Sequence, residues 1–529
     1  MIDRVTNQNI VTNKAGQKSF KGGPSAAVLT GLRGLNNSPA IGACAVDLCS
    51  MVIPRTVIEA KNRGKQSGIE TFFREVSSCV IHACVGLIGL ASAAVISGNF
   101  NKQHGVKAQN IFASADTIKN MSEIWQNSQG QSKDFFENFV KNIKGLNGNE
   151  WKTVSKDVTG EIVEGLTALS DKTKAIASAS GVEKTKLGKE AKQLKNVIMA
   201  KITKDTGAQA SFKLNAVNGT KEISSSLSEL VDNAVVLSNS FKTKSKEKLP
   251  SFVNALTKNK TASTLLGLGI CAALCMAVQP VNRYLTKKRT GQDGFVGVKD
   301  RKADESKGFK ALKTGVGIAF PVFAISTIGK LSDFTSNVQF NSKIPTLNQF
   351  KLLYGLTIGS RFMSARDKDE LRECVIKDTL GFTNWLILGG MVSKLTARAL
   401  GGKELINNPA AKETGKKGLK YAANWLTKAS VKSFDEVLLP NVKEIMKNGK
   451  VMKFSELLKN ADAATKSKVF KIAASQVAGY LYSGIVLGMG ISKLNIFITK
   501  KLNEKRNAEK PKVTYNFQNE LSSVFKDFK

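Results

Sequence analysis

The chain has 529 residues, room for several domains, and an ordinary 42% hydrophobic share. Its formal charge is +37, and Lys supplies 66 of the 79 basic residues once 13 Arg are taken away. Such point charges suit anionic lipid or a solvated surface better than bidentate base reading, and no basic strip is interleaved with the 7% of aromatic residues, so specific nucleic-acid recognition is not expected.

In chain order, residues 1–38 read as a polar tail. Its best apolar stretch, Ala26 to Leu29, is too short for a signal-peptide core, so no cleavable signal is expected and any insertion begins at an internal segment. Residues 39–98 hold a proline-led apolar stretch (Pro39 to Pro54, with Asp47 inside), a basic arm and the run from Val76 to Asn101, 26 residues without Asp, Glu, Lys or Arg. A Lys-rich insertion follows at 99–260, then a closing span at 261–297 with 22 charge-free residues from Thr261 to Asn282. A basic connector (298–343) carries the shorter run Thr314 to Gly329. Residues 344–393 repeat the pattern with Pro345 to Ser360, an arm, and Thr379 to Ser393. A second polar insertion (394–471), a span at 472–503 with 21 charge-free residues from Ile472 to Ser492, and a polar tail (504–529) complete the chain. About 20 helical residues cross a hydrocarbon core, so the three long runs are spanning candidates by length.

Self-comparison suggests a duplication. Pro39 and Arg55 answer to Pro345 and Arg361, Ala60-Lys61 to Ala365-Arg366, and Arg74-Glu75 to Arg372-Glu373. The run from Asn282 to Lys288 answers to that from Asn495 to Lys501. The expected fold is therefore an all-α integral membrane protein, a multi-span helical bundle from two related halves, each with a polar helical insertion. Seven crossings would put segments 55–75, 283–313, 361–378 and 494–529, with ten of 13 Arg, on one side, cytoplasmic by the positive-inside rule.

Within the first insertion, Ile223, Leu227, Leu230, Ala234, Leu237 and Phe241 form one helical stripe; Val154, Val158, Ile162, Leu166 and Leu169 a second; Phe135, Phe136, Phe139, Ile143 and Leu146 a third. They predict a small helical bundle. In the second insertion Leu419, Ala423 and Leu426 share a face, and Pro440 ends a later helix.

Chemistry is sparse. Two histidines, His82 and His104, and no HExxH, P-loop or CxxC motif give no support to an enzyme. Cys79 and His82 stand at one-turn spacing, but the corresponding Lys377 and Leu380 carry no such ligands, so neither metal nor cofactor is expected. Cys271 and Cys275 align with Gly484 and Gly488 as small-residue helix-packing faces. Arg55, Arg74, Glu75, Arg361, Arg372, Glu373, Lys287, Lys288, Lys500 and Lys501 are expected to anchor at lipid headgroups, with an anion site between the halves as the sharper option. Asp47 is a candidate intramembrane acid, although the shortness of 39–54 favours a wet, interfacial position. Function is read as structural or interaction-based, with the insertions presented to protein partners at a membrane surface; a transporter or channel built from the two halves is the alternative.

Overall fold

The computed structural model describes residues 24–37, 39–145, 156–206, 212–296, 302–340, 345–388, 390–408 and 418–508, and the fold is about 80% helical. Helix α1 (Pro24–Asn37) leads to α2 (Pro39–Val46), which runs through a π-helical stretch, Asp47–Val52, into α3 (Ile53–Arg63). Gly64, at φ 89°, takes a backbone conformation that side chains disfavour and turns the chain into α4 (Lys65–Ile96). The first insertion holds α5 (Gly98–His104), α6 (Ala115–Asn127), α7 (Ser132–Lys141), α8 (Lys156–Ser178), α9 (Gly181–Thr206) and α10 (Leu227–Phe241). Then come α11 (Leu249–Thr290), α12 (Lys307–Ser326), α13 (Phe334–Asn337), α14 (Leu347–Met363), α15 (Lys368–Phe382) and α16 (Met391–Gly401). The second insertion adds α17 (Leu419–Lys428), α18 (Phe434–Leu438) and α19 (Phe454–Asn460), before α20 (Ala463–Tyr482), a π-helical stretch and α21 (Ile491–Ala508).

Among the described residues, four helical stretches are long and apolar enough to cross a membrane: α4, α11, α12 and the 44 residues from Ala463 to Arg506. At 1.5 Å per residue, the 32 residues of α4 extend about 48 Å, beyond a 30 Å hydrocarbon core. The expected crossing at Thr379 to Ser393 is not one helix. A π turn follows Phe382, and Gly390, at φ 68°, caps α16, so the charge-free run is split between two elements.

These long helices carry polarity inward. On α4 the buried stripe includes Glu70, Arg74, Ser78 and His82, whereas Phe73, Val80, Leu87 and Val95 are exposed, Val95 by 74%. On α11 Ser263, Thr264, Gln279 and Asn282 are buried while Leu265, Ile270, Leu274 and Val281 face out. Close approach relies on small residues. A Cβ on Gly267 would lie 3.3 Å from Gly89 Cα and 2.8 Å from the Phe340 ring, and one on Gly359 would lie 2.5 Å from Gly317 O across the α12–α14 crossing.

The first insertion has its own core. Phe135, Phe136, Phe139, Ile162, Leu166, Leu169 and the α10 stripe from Leu227 to Phe241 are buried there. It also contains strands, which the stripes did not anticipate. Ile143 and Ile223 lie on β1 (Ile143–Gly145) and β3 (Ile223–Ser225), paired antiparallel through Leu214 of β2 (Phe212–Leu214). Val154 and Leu146 lie outside the described residues, and Val158 outside those whose side chains are described.

Of the expected face in the second insertion, only Leu426 packs against the core. Leu419 is 89% exposed and Ala423 is exposed, because α17 turns Trp425 inward instead. Pro440 does follow the end of α18, within a 3-10 turn. Part of the presumed N-terminal tail is ordered onto this insertion. α1 buries Leu29 in its core, and Arg33 grips Asp435 with two hydrogen bonds of 2.7 and 2.8 Å. The two insertions touch, with Ala200 of α9 joining the second core and Lys204 Nζ donating to Lys443 O at 2.9 Å.

Candidate functional site

The ends of α3 and α14, the N-terminal parts of α4 and α15 with the loop before α15, the C-terminal part of α11, and α21 collect the arms into one buried ion-pair cluster. Arg63, closing α3, reaches Glu373 of α15 at 2.5 Å and Glu59 at 3.2 Å. In return Arg366, in the loop between α14 and α15, reaches Glu70 of α4 at 2.6 Å and Glu370 at 3.0 Å. Arg361 of α14 sits between Glu75 (2.8 Å) and Asp378 (3.2 Å). Arg74 and Lys377 approach Glu75 as well, at 3.3 and 3.6 Å. At the rim, Arg283 of α11 binds Glu370 at 3.1 Å, and Arg506 of α21 binds Asp369 at 2.6 Å.

Neutral groups complete the frame. Asn282 Nδ2 donates to Glu70 O, and Asn495 Nδ2 donates to Glu373 O, each at 3.2 Å. Thr499 donates its hydroxyl to Glu373 and accepts from Arg372 at 2.5 Å. The Phe295 ring lies over both central arginines, 4.7 Å from the Arg63 guanidinium carbon and 6.0 Å from that of Arg366. A small cavity beside Arg63 measures about 20 Å³, room for roughly one water. Burial opposes the Arg366 charge, but Glu370 and Glu70 outweigh it and hold the guanidinium pKa above its usual value.

Deeper inside, Tyr354 donates its hydroxyl to Asp47 at 2.6 Å, and its ring lies 3.7 Å from that of His82. His82 Nε2 is 3.7 Å from Cys275 Sγ. Asp47 is thus buried and bonded to a phenol, neither wet nor bridged to Arg55. Arg55 Nη2 points instead at Leu487 O, at 3.5 Å.

Five of the ten expected headgroup anchors, Arg55, Arg74, Glu75, Arg361 and Glu373, are buried in this interior, and a sixth, the half-buried Arg372, turns onto Thr499 and Asp369. Their reach toward lipid is corrected accordingly: the arginines turn inward because carboxylates, a carbonyl and a hydroxyl are there to accept from them, and the two glutamates because guanidinium groups are there to donate. Lys287, Lys288, Lys500 and Lys501 are exposed. Cys271 and Cys275 are fully buried in the α4–α11 contact. Gly488 is packed so closely that a Cβ would collide with Ser50 O, whereas one on Gly484 would have ordinary contact at 3.8 Å. Cys79 does not join His82, whose thiol neighbour is Cys275, and no cluster of three or more His, Cys, Asp or Glu able to hold a metal occurs among the described residues.

Glu70, Arg63, Arg366, Glu370, Asp378, Tyr354 and Phe295 were not singled out as site residues from sequence. A signal existed. Arg63, Glu70, Arg74 and Glu75 recur as Arg366, Glu373, Lys377 and Asp378, each 303 residues on. The contacts follow this register and not the one that matches Arg74-Glu75 to Arg372-Glu373. Compared with known proteins, the chain matches no family model, no curated protein and no solved structure.

Proposed function

We propose that this is a multi-pass membrane protein of two related halves, serving as a structural or interaction platform that presents its polar insertions at the membrane surface. The observation that carries this reading is the inverted polarity of α4 and α11. Leaving Leu, Val, Ile and Phe side chains in water forfeits about 1.5–3 kcal/mol each, a loss that lipid removes. Polar side chains meanwhile need interior partners, which the cluster supplies.

Support for two halves comes from reciprocity. Arg63 binds Glu373 while Arg366 binds Glu70, and Asn282 and Asn495 cap the same two residues. Support for parallel orientation comes from the ends: all four arms meet at the cluster, and both insertions meet at the other end. The cluster then lies at headgroup depth but faces inward, and the exposed lysines remain for anionic lipid. No catalytic role is assigned.

A transporter formed by the halves is the competing reading, favoured by the buried chain Asp47–Tyr354–His82. The platform is preferred because the cluster's charges are mutually paired around a one-water cavity. Two measurements test this. Alkaline carbonate should leave the chain in the membrane pellet, and proteoliposomes should show no protein-dependent flux of protons or small ions; extraction refutes the membrane reading, and flux refutes the platform.

A further inference from the structure

We propose that a cleft of about 640 Å³, between the arm-side ends of α11 and α12, binds a phosphate ester. Its lipid form rests on the membrane reading above; its chemistry does not.

The cleft's cations divide into two kinds. Arg283 and Arg366 form its floor and are already committed to Glu370 and Glu70. Lys302 and Lys313 have no carboxylate partner among the described residues. Lys313 Nζ donates to a neutral acceptor, Ala365 O, at 3.1 Å and rides 5.3 Å from the Phe309 ring. Two acids of the cleft have their own cations, Asp293 in Lys287 at 2.7 Å and Glu305 in Lys310 at 2.6 Å, while Asp304 accepts from the Ser306 backbone N–H at 3.0 Å and keeps its charge, within electrostatic reach of Lys313 but not paired with it. Among the described residues, two ammonium groups therefore stand above a floor of arginines without a carboxylate within ion-pair distance.

A phosphate diester is a compact anion whose oxygens accept from converging N–H donors, and an ammonium serves it as a point charge. The surroundings indicate how such a group could arrive. Tyr284 is 65% exposed at the mouth, and Val281, Leu285 and Leu312, on the adjoining turns of α11 and α12, are also exposed. Acyl chains laid along those turns would bring a headgroup phosphate to the cleft, as expected on a face rich in anionic lipid.

The test uses the full chain in neutral detergent. Phosphatidylglycerol, phosphatidylcholine and water-soluble glycerol 1-phosphate are titrated against the wild-type protein, the Lys302→Gln/Lys313→Gln variant and a Lys500→Gln/Lys501→Gln control of equal charge loss. Phosphatidylglycerol should bind the double variant about tenfold more weakly for each lysine removed, with less than about twofold change in the control. Equal binding of glycerol 1-phosphate supports a site for soluble esters; binding of phosphatidylglycerol alone supports a lipid site. Weak binding of all three by the wild type, or equal losses in variant and control, overturns the proposal. Carbonate extraction decides the membrane reading separately, and the glycerol 1-phosphate arm stands whatever that outcome.

Discussion

Replacing Arg366 with Met removes one centre of the ion-pair cluster while keeping a long side chain. The guanidinium meets Glu70 at 2.6 Å and Glu370 at 3.0 Å, and the two losses are unequal. Glu370 keeps Arg283 at 3.1 Å and the Arg366 backbone N–H at 2.7 Å. Glu70, 5% exposed, keeps no cation within ion-pair distance among the described residues, with Arg283 acting on it only from farther away. Stranding a buried carboxylate costs about 3–5 kcal/mol, and that is the expected loss of unfolding free energy. Adding Glu70→Gln removes the stranded charge, so the pair should be less destabilised than the sum of its parts, with a coupling of about 2 kcal/mol. The reciprocal cycle, Arg63→Met with Glu373→Gln, should return a coupling of the same sign. Removing the exposed Lys195–Asp232 pair by Lys195→Gln should cost less than about 1 kcal/mol. Equilibrium unfolding in mixed micelles, followed by Trp fluorescence, measures all of these. An Arg366→Met cost below about 1 kcal/mol, or a double variant no better than the sum, would refute the role assigned to the cluster.

Gly488→Leu should destabilise by about 1–3 kcal/mol because its side chain would enter the Ser50 carbonyl, whereas Gly484→Ala should be nearly neutral; equal melting temperatures in detergent would contradict this. Single cysteines at Gln66 and Lys501, in a background without native cysteines, should react with an impermeant reagent from one side and a cysteine at Glu247 from the other, with mixed labelling arguing against parallel halves. Burial pushes the Lys394 ammonium down to about 8, and its Nζ donates to Leu388 O at 2.8 Å and to Leu426 O. Between that value and the ordinary lysine pKa the unfolded chain binds more protons, so stability should rise from about pH 8 to about pH 10.5 and fall on acidification. Lys394→Met should flatten that rise, and an unchanged pH profile would rule out Lys394 as its source.

Helical character, the long apolar runs and the parts of the first insertion's stripes that fall on described helices were legible because each is periodic along the chain. Leu227, Leu230, Ala234, Leu237 and Phe241 fall on one face whatever they pack against, and they do pack. The direction of Arg74 and Glu75 was not legible: the same residues serve as lipid anchors or internal pairs depending on which partners the other half brings. Arg361 selects the internal role by reaching Glu75 from 286 residues away. Trp425 was missed for a related reason. It lies at the last turn of α17, where cation contacts to Arg398 and Lys394 decide the inward face, and neither is within one helical turn in sequence. Gly355 and Gly359 were legible as a small-xxx-small pair, and that signal went unused.

The cluster also answers a difficulty raised by small-residue packing. Faces built from Gly, Ala, Ser and Cys are smooth, and α4 against α11 offers Gly89, Gly267, Cys271 and Cys275 with few projections to lock one turn against the next. In lipid no hydrophobic gain penalises a slide along such a face, since the exposed alternative is equally apolar. An ion pair does penalise it. Sliding α4 by one turn moves Glu70 about 5.4 Å from Arg366 and also breaks the bond from Asn282 to the Glu70 carbonyl. Charges placed at one end therefore fix the register of the whole length, and because the pairs tie α4 to α14 and to the loop before α15, and α3 to α15, they fix the two halves together. The smooth faces set how closely the helices approach, and the cluster sets where they stop.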